Sequence, residues 1–400
     1  MPTTYTGTAA SLNGTVITNF AIGDQIDITD ETPTAANVHI SGNMLDYTGG
    51  SITIDNLGPG RYVIREIGTT GTDIRLQQDA HNDFNGDGHS DILWRSSTGY
   101  ITEWLSNPDG SFTQNNANAG TGAADNGWQV VGSGDFNGDG RVDLLFRNTT
   151  SGYVTEWLGT STGGFTDNSA HAGTGAADNS WQIASTGDFN GDGITDILWR
   201  NSTTGYLTEW LGTSNGSFTD NSAHAGTGAA DNSWQVAGTG DFNGDGIDDI
   251  LWRNTTTGYV TEWLGTSNGS FSDNVTHAGT GAADNSWKIA GVGDFNGDGT
   301  SDILWRNATS GYVTEWLGST TGAFSDNSAH AGNGAADNSW QVVSIGDFNG
   351  DAVDDVLWRN TTTGYVTDWL GSPTGAFTDN SAHAGTGAAD TSWHVQDTFF

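Results

Sequence analysis

Cysteine is absent from the chain, so neither disulfide bonds nor thiolate metal sites can stabilise its fold. Basic residues are scarce, with 11 Lys and Arg against 48 Asp and Glu among 400 residues, and the formal net charge is −37 at pH 7. This charge argues against binding to nucleic-acid phosphates and to anionic membrane surfaces. Because no apolar run approaches the about 20 residues that a membrane-spanning helix needs, we expect no membrane insertion.

Proline is also rare, with five residues, whereas glycine is abundant, with 60. A glycine-rich, acidic chain of this kind could be disordered. The 17 tryptophans argue against disorder, because such a large aromatic content is enough to organise a core. Every tryptophan lies beyond residue 80, so we expect the core to form there.

A motif of Asp-Phe-Asn-Gly-Asp-Gly, two variable residues and Asp dominates this part of the sequence. It occurs six times, and the successive starting positions differ by 52, 53, 53, 53 and 53 residues. A period of this size is typical of stacked supersecondary units. The sixth copy departs from the pattern, since Ala352 replaces the glycine of the sixth motif position.

Side-chain oxygens recur at motif positions 1, 3, 5 and 9, a pattern by which a short glycine-bent loop can wrap a hard cation. Oxygen ligands without His or Cys favour calcium over zinc or copper. The sequence therefore predicts up to six calcium ions. The predicted metal ligands are Asp83, Asn85, Asp87, Asp91, Asp135, Asn137, Asp139, Asp143, Asp188, Asn190, Asp192, Asp196, Asp241, Asn243, Asp245, Asp249, Asp294, Asn296, Asp298, Asp302, Asp347, Asn349, Asp351 and Asp355.

An EF-hand would require Glu at position 12, where five of the six copies have Trp and one has Phe146. The motif resembles instead the FG-GAP or VCBS repeats of integrin-like calcium-binding β-propellers found in bacterial secreted or surface proteins. This resemblance covers about residues 81–400 and implies that the last Asp of each motif also ligates the ion. Ala352 is costly if its position needs a positive φ, so we expect the sixth site to be the weakest or empty.

Each repeat contains four short candidate strands, as a propeller blade does. We therefore predict an all-β fold consisting of a six-bladed β-propeller over residues 81–400. The first unit lacks the Trp-bearing strand that precedes the other motifs, while the chain ends in a surplus Ser392-Trp393-His394-Val395. This terminal strand would complete the first blade and close the ring. A seven-bladed propeller is the alternative, and it would require residues 30–80 to supply a blade.

Residues 1–80 contain no copy of the repeat and form a separate β-rich segment in our interpretation. Alternation of apolar and polar residues predicts strands at 15–20, 25–28, 37–40, 51–54 and 62–65.

Two further sets of side chains recur in the repeats. An Arg lies eight or nine residues before a Glu or Asp in every unit, for example Arg200 and Glu209, and we expect these to pair within the blade. Histidines recur in the long connection between units. They would either anchor this connection by a hydrogen bond or contact a ligand. These candidate ligand-binding residues are His171, His224, His277, His330 and His383.

Function cannot be derived from a propeller fold alone. The leading hypothesis is a secreted or cell-surface binding or adhesion module, in one form a multivalent carbohydrate-binding lectin, with an extracellular glycan or cell-surface ligand as partner. A passive calcium-stabilised scaffold is the second hypothesis. A polysaccharide-active enzyme is the third, and it is disfavoured because no catalytic constellation can be recognised in the sequence.

Overall fold

The computed structural model contains two regions, an N-terminal β-rich segment and the six repeats. The described residues are 4–18, 20, 25–30, 38–41, 43–55, 61–67, 71–77, 80–116, 126–171, 179–224, 232–275, 285–329, 338–383 and 391–397. Within these ranges no helix has the length and apolar composition that a membrane crossing requires.

The N-terminal segment forms two four-stranded sheets, with strand orders β1-β3-β8-β7 and β2-β6-β5-β4. The pairs β1–β3 and β2–β6 are parallel, and the other pairs are antiparallel. The elements are β1 (Thr4–Gly7), α1 (Ala9–Leu12), β2 (Val16–Thr18), β3 (Gln25–Ile28), β4 (Val38–Ser41), β5 (Met44–Tyr47), β6 (Gly50–Asp55), β7 (Arg61–Ile67) and β8 (Gly71–Gln77).

Each of the five predicted N-terminal strands coincides with an observed strand, and β1, β5 and β8 were not predicted. A small core of their own, including Ile26, Leu45 and Ile52, lies between these strands. Residues 30–80 share their sheets with β1, β2 and β3 and do not form a further antiparallel blade among the described residues.

The repeats form six four-stranded antiparallel sheets within the described residues, which we call blades 1 to 6. Blade 1 consists of β9 (Ile92–Ser96), β10 (Ile101–Ser106), β11 (Phe112–Gln114) and β32 (Trp393–Val395); blade 2 of β12 (Trp128–Gly134), β13 (Asp143–Asn148), β14 (Val154–Gly159) and β15 (Phe165–Asp167); blade 3 of β16 (Trp181–Gly187), β17 (Asp196–Asn201), β18 (Leu207–Gly212) and β19 (Phe218–Asp220); blade 4 of β20 (Trp234–Gly240), β21 (Asp249–Asn254), β22 (Val260–Gly265) and β23 (Phe271–Asp273); blade 5 of β24 (Trp287–Gly293), β25 (Asp302–Asn307), β26 (Val313–Leu317) and β27 (Ser325–Asp326); blade 6 of β28 (Trp340–Gly346), β29 (Asp355–Asn360), β30 (Val366–Leu370) and β31 (Thr378–Asp379). This arrangement confirms the predicted all-β propeller class.

The core lies between neighbouring blades. In blade 3, for example, β17 begins with four buried residues in succession, which is typical of a strand covered on both faces. Its Ile197 and Trp199 pack against Leu145 and Val154 of blade 2. The second strand of five blades carries one such fully buried Trp, and blade 2 has Phe146 at this position. The aromatic side chains therefore fill the spaces between blades.

The blades are also joined by backbone hydrogen bonds next to the axis. In each blade the amide at motif position 8 donates to the carbonyl of motif position 1 in the preceding blade. The six bonds run from Val142 to Asp83, Thr195 to Asp135, Asp248 to Asp188, Ser301 to Asp241, Asp354 to Asp294 and Ser90 to Asp347, at 2.7–3.0 Å. The last bond links blade 6 to blade 1.

The C-terminal strand β32 pairs with β9, with Trp393 opposite Ser96 and Val395 opposite Trp94. Asp397 follows this strand and is buried, and its carboxylate accepts hydrogen bonds from Asn82 and from Ser344 of blade 6. The end of the described chain therefore joins the first blade to the last.

Candidate functional site

The first Asp of each motif organises its loop by accepting backbone amides. In the first loop, Asp83 Oδ1 accepts from the amides of Gly86 and Asp87 at 2.7 and 3.1 Å, and Oδ2 accepts from Gly88 at 2.6 Å. The same three amides serve the equivalent Asp in loops 3 to 6. Positions 4 and 6 have positive φ in every loop, including Ala352, which replaces the position-6 glycine of the sixth loop.

The residues at positions 3 and 5 continue this pattern. In loop 3, Asn190 Oδ1 accepts from the amide of Asp192 at 2.9 Å, and Asp192 Oδ1 accepts from Ile194. The first loop differs, since Asn85 Oδ1 is buried there without a hydrogen-bond partner among the described residues. An orphaned buried oxygen of this kind indicates that a donor or a cation belongs beside it.

The Asp at position 9 is fully buried and connects the loop to the end of the third strand. Asp196 Oδ2 accepts from the amide of Phe189 at 2.9 Å, and its Oδ1 accepts from Gly212 at 2.8 Å. The other five loops repeat both bonds. This Asp therefore has a structural role in every blade, whether or not it also binds a cation.

Each loop places carboxyl groups close to one another, with the position-9 carboxyl buried. Burial, and to a lesser degree the charge of Asp241, raises the pKa of Asp249 to about 9. The hydrogen bond from the amide of Gly265 partly opposes this rise. Burial likewise raises the pKa of Asp83 to about 7. A bound divalent cation would favour the ionised forms and remove this electrostatic cost.

The donor set fits a hard cation because it contains only oxygens. Within the described ranges, however, no three Asp, Glu or His side chains converge into a complete metal-binding group. The side-chain oxygens at positions 1, 3 and 5 accept the loop's own amides instead. Coordination would thus also need amide or carbonyl oxygens, and the ligand assignments stay predictions.

The inner ends of the blades line a cavity of about 270 Å³ next to the axis. Asp248, Asp354, Asp397 and His81 are among its lining residues. Asp248 and Asp354 are motif-position-8 residues that break the internal repetition, and the sequence alone could not show that they lie on one cavity. The carboxylate of Asp248 accepts the amide of Asp188 at 2.7 Å, so part of its role is to join two blades.

The predicted pairing of Arg with Glu or Asp inside each blade is wrong, because none of the six predicted pairs forms an ion pair in the described part of the chain. The arginines reach the next blade instead. Arg147 donates to the carbonyl of Trp181 at 2.6 Å and lies over the ring of Trp199, with 5.2 Å from guanidinium carbon to ring centroid.

The carboxylate that was expected to pair with Arg forms a contact between blades, which we call the Glu–Asn latch. In blade 2, Glu156 is fully buried, and its Oε1 accepts from Asn168 Nδ2, which also donates to the carbonyl of Asn215 in blade 3 at 3.2 Å. Gly216 covers this pair so closely that an added Cβ would lie 2.1 Å from Glu156 Oε1. The latch pairs are Glu103–Asn115, Glu156–Asn168, Glu209–Asn221, Glu262–Asn274, Glu315–Asn327 and Asp368–Asn380.

The second oxygen of every latch carboxyl is buried without a hydrogen-bond partner among the described residues. Burial, opposed by the Asn hydrogen bond, raises the pKa to about 8 for Glu103, Glu156 and Glu209. Sequence reasoning missed the Asn partners. Their constant spacing of 12 residues after the acidic residue is the signal that could have revealed them.

Three of the five candidate histidines lie in the described residues. His171, His224 and His383 are exposed, and each has Nδ1 2.8–2.9 Å from the Oδ1 of a latch Asn. This contact agrees with an anchoring role and leaves the other ring nitrogen open. His277 and His330 lie outside the described residues, and the ligand-binding role of all five stays a prediction.

Comparison with protein-family models finds five matches to one description, "FG-GAP-like repeat", at residues 83–146, 135–199, 188–252, 241–305 and 294–358. Comparison with curated proteins finds no match. Since the five family matches together span residues 83–358, more than half of the chain, the chain belongs to the FG-GAP-like repeat family.

Proposed function

We propose that this chain is a calcium-binding β-propeller that works outside the cell or at its surface as a multivalent binding or adhesion module. Its family supports the coarser statement of a propeller-like binding or structural module. FG-GAP-like repeats are also typical of extracellular or surface proteins. A carbohydrate-binding lectin is the form of this function that we favour.

One observation carries the calcium part of the proposal. In all six motif loops the buried position-9 carboxyl lies close enough to the position-1 carboxylate for its charge to raise the pKa of the position-9 Asp. Six divalent cations would offset 12 of the 37 net negative charges. Modules outside the cell can use weak calcium binding, because the ion is plentiful there.

Calcium titration of chelator-treated protein tests this part, with calorimetry giving the number of ions and thermal unfolding giving their effect. We expect up to six ions per chain and a higher melting temperature. Asp192→Asn removes one carboxylate from loop 3 and should reduce the ion count by one. Asp220→Asn, an exposed change outside the loops, is the matched control. Protein that takes up no calcium and melts at the same temperature with chelator would contradict the proposal.

A passive scaffold is the second candidate, and the Glu–Asn latch favours it. The latch uses recurring acidic side chains to join neighbouring blades, and the position-9 Asp joins each motif loop to the third strand of its own blade. A scaffold would unfold on chelation yet retain no glycan or surface ligand in calcium. A glycan array and a surface-adhesion assay with and without chelator separate the two candidates.

A further inference from the structure

One exposed tyrosine per blade immediately precedes the third strand. These residues are Tyr100, Tyr153, Tyr206, Tyr259, Tyr312 and Tyr365, and 47–57% of each is exposed. The other exposed large hydrophobic residues in the described ranges are Val16, Met44 and Val275, which do not recur between blades. Single exposed apolar residues are ordinary, but an aromatic ring exposed at the same position in every blade requires an explanation.

Within the described part of the chain, these side chains make no hydrogen bond, ring contact or cation contact. In blade 3, the carbonyl of Tyr206 accepts from Asn201 at 2.8 Å and its amide lies 3.4 Å from Thr204 Oγ1, so only its backbone takes part in the turn. The preceding glycine supplies the positive φ that the turn needs, for example +77° at Gly205.

Topology places all six tyrosines at one end of the propeller. They belong to the turns between the second and third strands, whereas the motif loops lie at the start of the second strand and, in blades 2 to 6, join it to the first strand. In an antiparallel sheet, successive connections lie at opposite ends of the strands. The six tyrosine turns therefore form a surface opposite the motif loops, and we call it the tyrosine face.

The tyrosine turns contain no charged residue, whereas the fourth strands of blades 2 to 6, which finish toward the same end of the blades, carry exposed Asp167, Asp220, Asp273, Asp326 and Asp379. The turns, residues 96–100, 148–153, 201–206, 254–259, 307–312 and 360–365, contain only Ser, Thr, Asn, Ala, Gly and Tyr. The net charge of −37 thus arises elsewhere in the molecule. Each turn also contains exposed hydroxyl residues, such as Thr203 in blade 3.

We propose that the tyrosine face binds an uncharged glycan, with the phenol rings stacking on the apolar faces of sugar rings and the turn residues hydrogen-bonding the sugar hydroxyls. This inference rests on the proposed binding function and names its surface and ligand class. An aromatic ring with a polar tip suits a ligand that alternates C–H and O–H groups. An anionic polymer would be repelled by the rest of the molecule, and a cationic peptide would find no carboxylate on these turns.

Six equivalent positions make the binding multivalent. Simultaneous engagement of several turns by one polysaccharide can raise the apparent affinity by about 100-fold or more without any new contact. Loss of one tyrosine should therefore weaken binding only about twofold to threefold, whereas loss of all six should weaken it about 100-fold or more.

Affinity electrophoresis in calcium tests the proposal. The probes are soluble neutral polysaccharides (a β-glucan, a galactomannan, a xylan and dextran), with polygalacturonate and polylysine as charged comparators. The proteins are the full chain, its sixfold Tyr→Ser variant and its sixfold Tyr→Phe variant, all with matched thermal unfolding curves. We expect a neutral polysaccharide to retard the full chain and the Phe variant but not the Ser variant.

Each other outcome overturns the proposal in a distinguishable way. Equal retardation of the Ser variant would show that the tyrosine face is not the glycan-binding surface, while the proposed binding function would still be supported. Retardation by polylysine alone would refute the glycan assignment and indicate a cationic peptide as the ligand class. No retardation by any probe would refute the glycan assignment alone, and the surface-adhesion assay of the proposed function would then decide between another ligand and the scaffold.

Discussion

Replacing Ala352 by glycine should stabilise the protein. Ala352 has φ of +65°, and the five glycines at the equivalent position have φ of +80° to +87°. A left-handed conformation brings the Cβ of an L-residue close to the following carbonyl, which costs roughly 1–2 kcal/mol. The amide of Ala352 still donates to Asp347 Oδ2 at 2.7 Å, so the loop retains its shape despite this strain.

The magnitude follows from two opposing contributions. Glycine removes the left-handed strain, but it increases the entropy of the unfolded chain, which offsets about 0.4–1 kcal/mol. The net gain in the free energy of unfolding should be about 0.5–1 kcal/mol. A cooperative unit of about 320 residues would then melt about 1 °C higher. We also expect the sixth loop to bind calcium more tightly in this variant.

Urea unfolding and differential scanning calorimetry, each with calcium and with chelator, measure this change. Gly299→Ala is the reverse substitution, and a Cβ there would meet nothing within 4 Å, so it should lose about 0.5–1 kcal/mol through the backbone alone. Ala308→Gly, in an exposed turn without positive φ, controls for the entropy of glycine and should destabilise by about 0.4–1 kcal/mol. If Ala352→Gly destabilised the protein as much as Ala308→Gly, the strain argument would be refuted.

Three further predictions concern the contacts between blades. Gly216→Ala should lower the free energy of unfolding by more than about 2 kcal/mol, because its Cβ would meet the latch carboxyl; Gly193→Ala, where a Cβ meets nothing, should lose only about 1 kcal/mol in the same urea series. Glu209 has a pKa raised to about 8, so its contribution to stability is complete below about pH 4.5 and is lost as the pH rises through 8. Glu209→Gln should therefore reduce the loss of folding free energy per pH unit between these values by up to about 1.4 kcal/mol. An unchanged slope would contradict a protonated, neutral Glu209 in the latch. Asp397→Ala should lower the free energy of unfolding by about 1–3 kcal/mol, because it leaves the buried donors of Asn82 and Ser344 unpaired. Amide hydrogen exchange should become faster mainly in β9 and β32. Uniform or unchanged exchange would argue against a role of Asp397 in joining blade 1 to blade 6.

Several features of the fold could be predicted because they depend on local sequence. The period of about 53 residues, with its turn glycines and short apolar runs, indicated four-stranded units, and the missing first strand and surplus Trp393 indicated their pairing. The observed pairing of β32 with β9 has the predicted partners. The positive φ at Ala352 was likewise predictable, because glycine at the equivalent position of the other five loops indicates a left-handed conformation.

The partners of charged side chains could not be predicted in the same way. Arg200 and Glu209 lie on one face of adjacent strands, so pairing within the blade was a reasonable expectation. The next blade, however, supplies a carbonyl at Trp234 for the arginine, and Asn221, which follows the fourth strand of the same blade, donates to the carboxyl. The arginine contact depends on how the blades pack, which local spacing does not show, whereas the constant spacing of 12 residues could have revealed the Asn.

The sequence by itself determined the repeated unit, the propeller class and the loops rich in acidic residues and asparagine, since each depends on residues within a few positions of one another. Only the tertiary structure decided which groups meet across blades. It buried Glu156 beneath Gly216, placed Asp248 and Asp354 on one cavity, and left the tyrosines exposed at the end opposite the motif loops. The physical reason is that burial and exposure in a propeller are settled between neighbouring blades, about 53 residues apart in the chain.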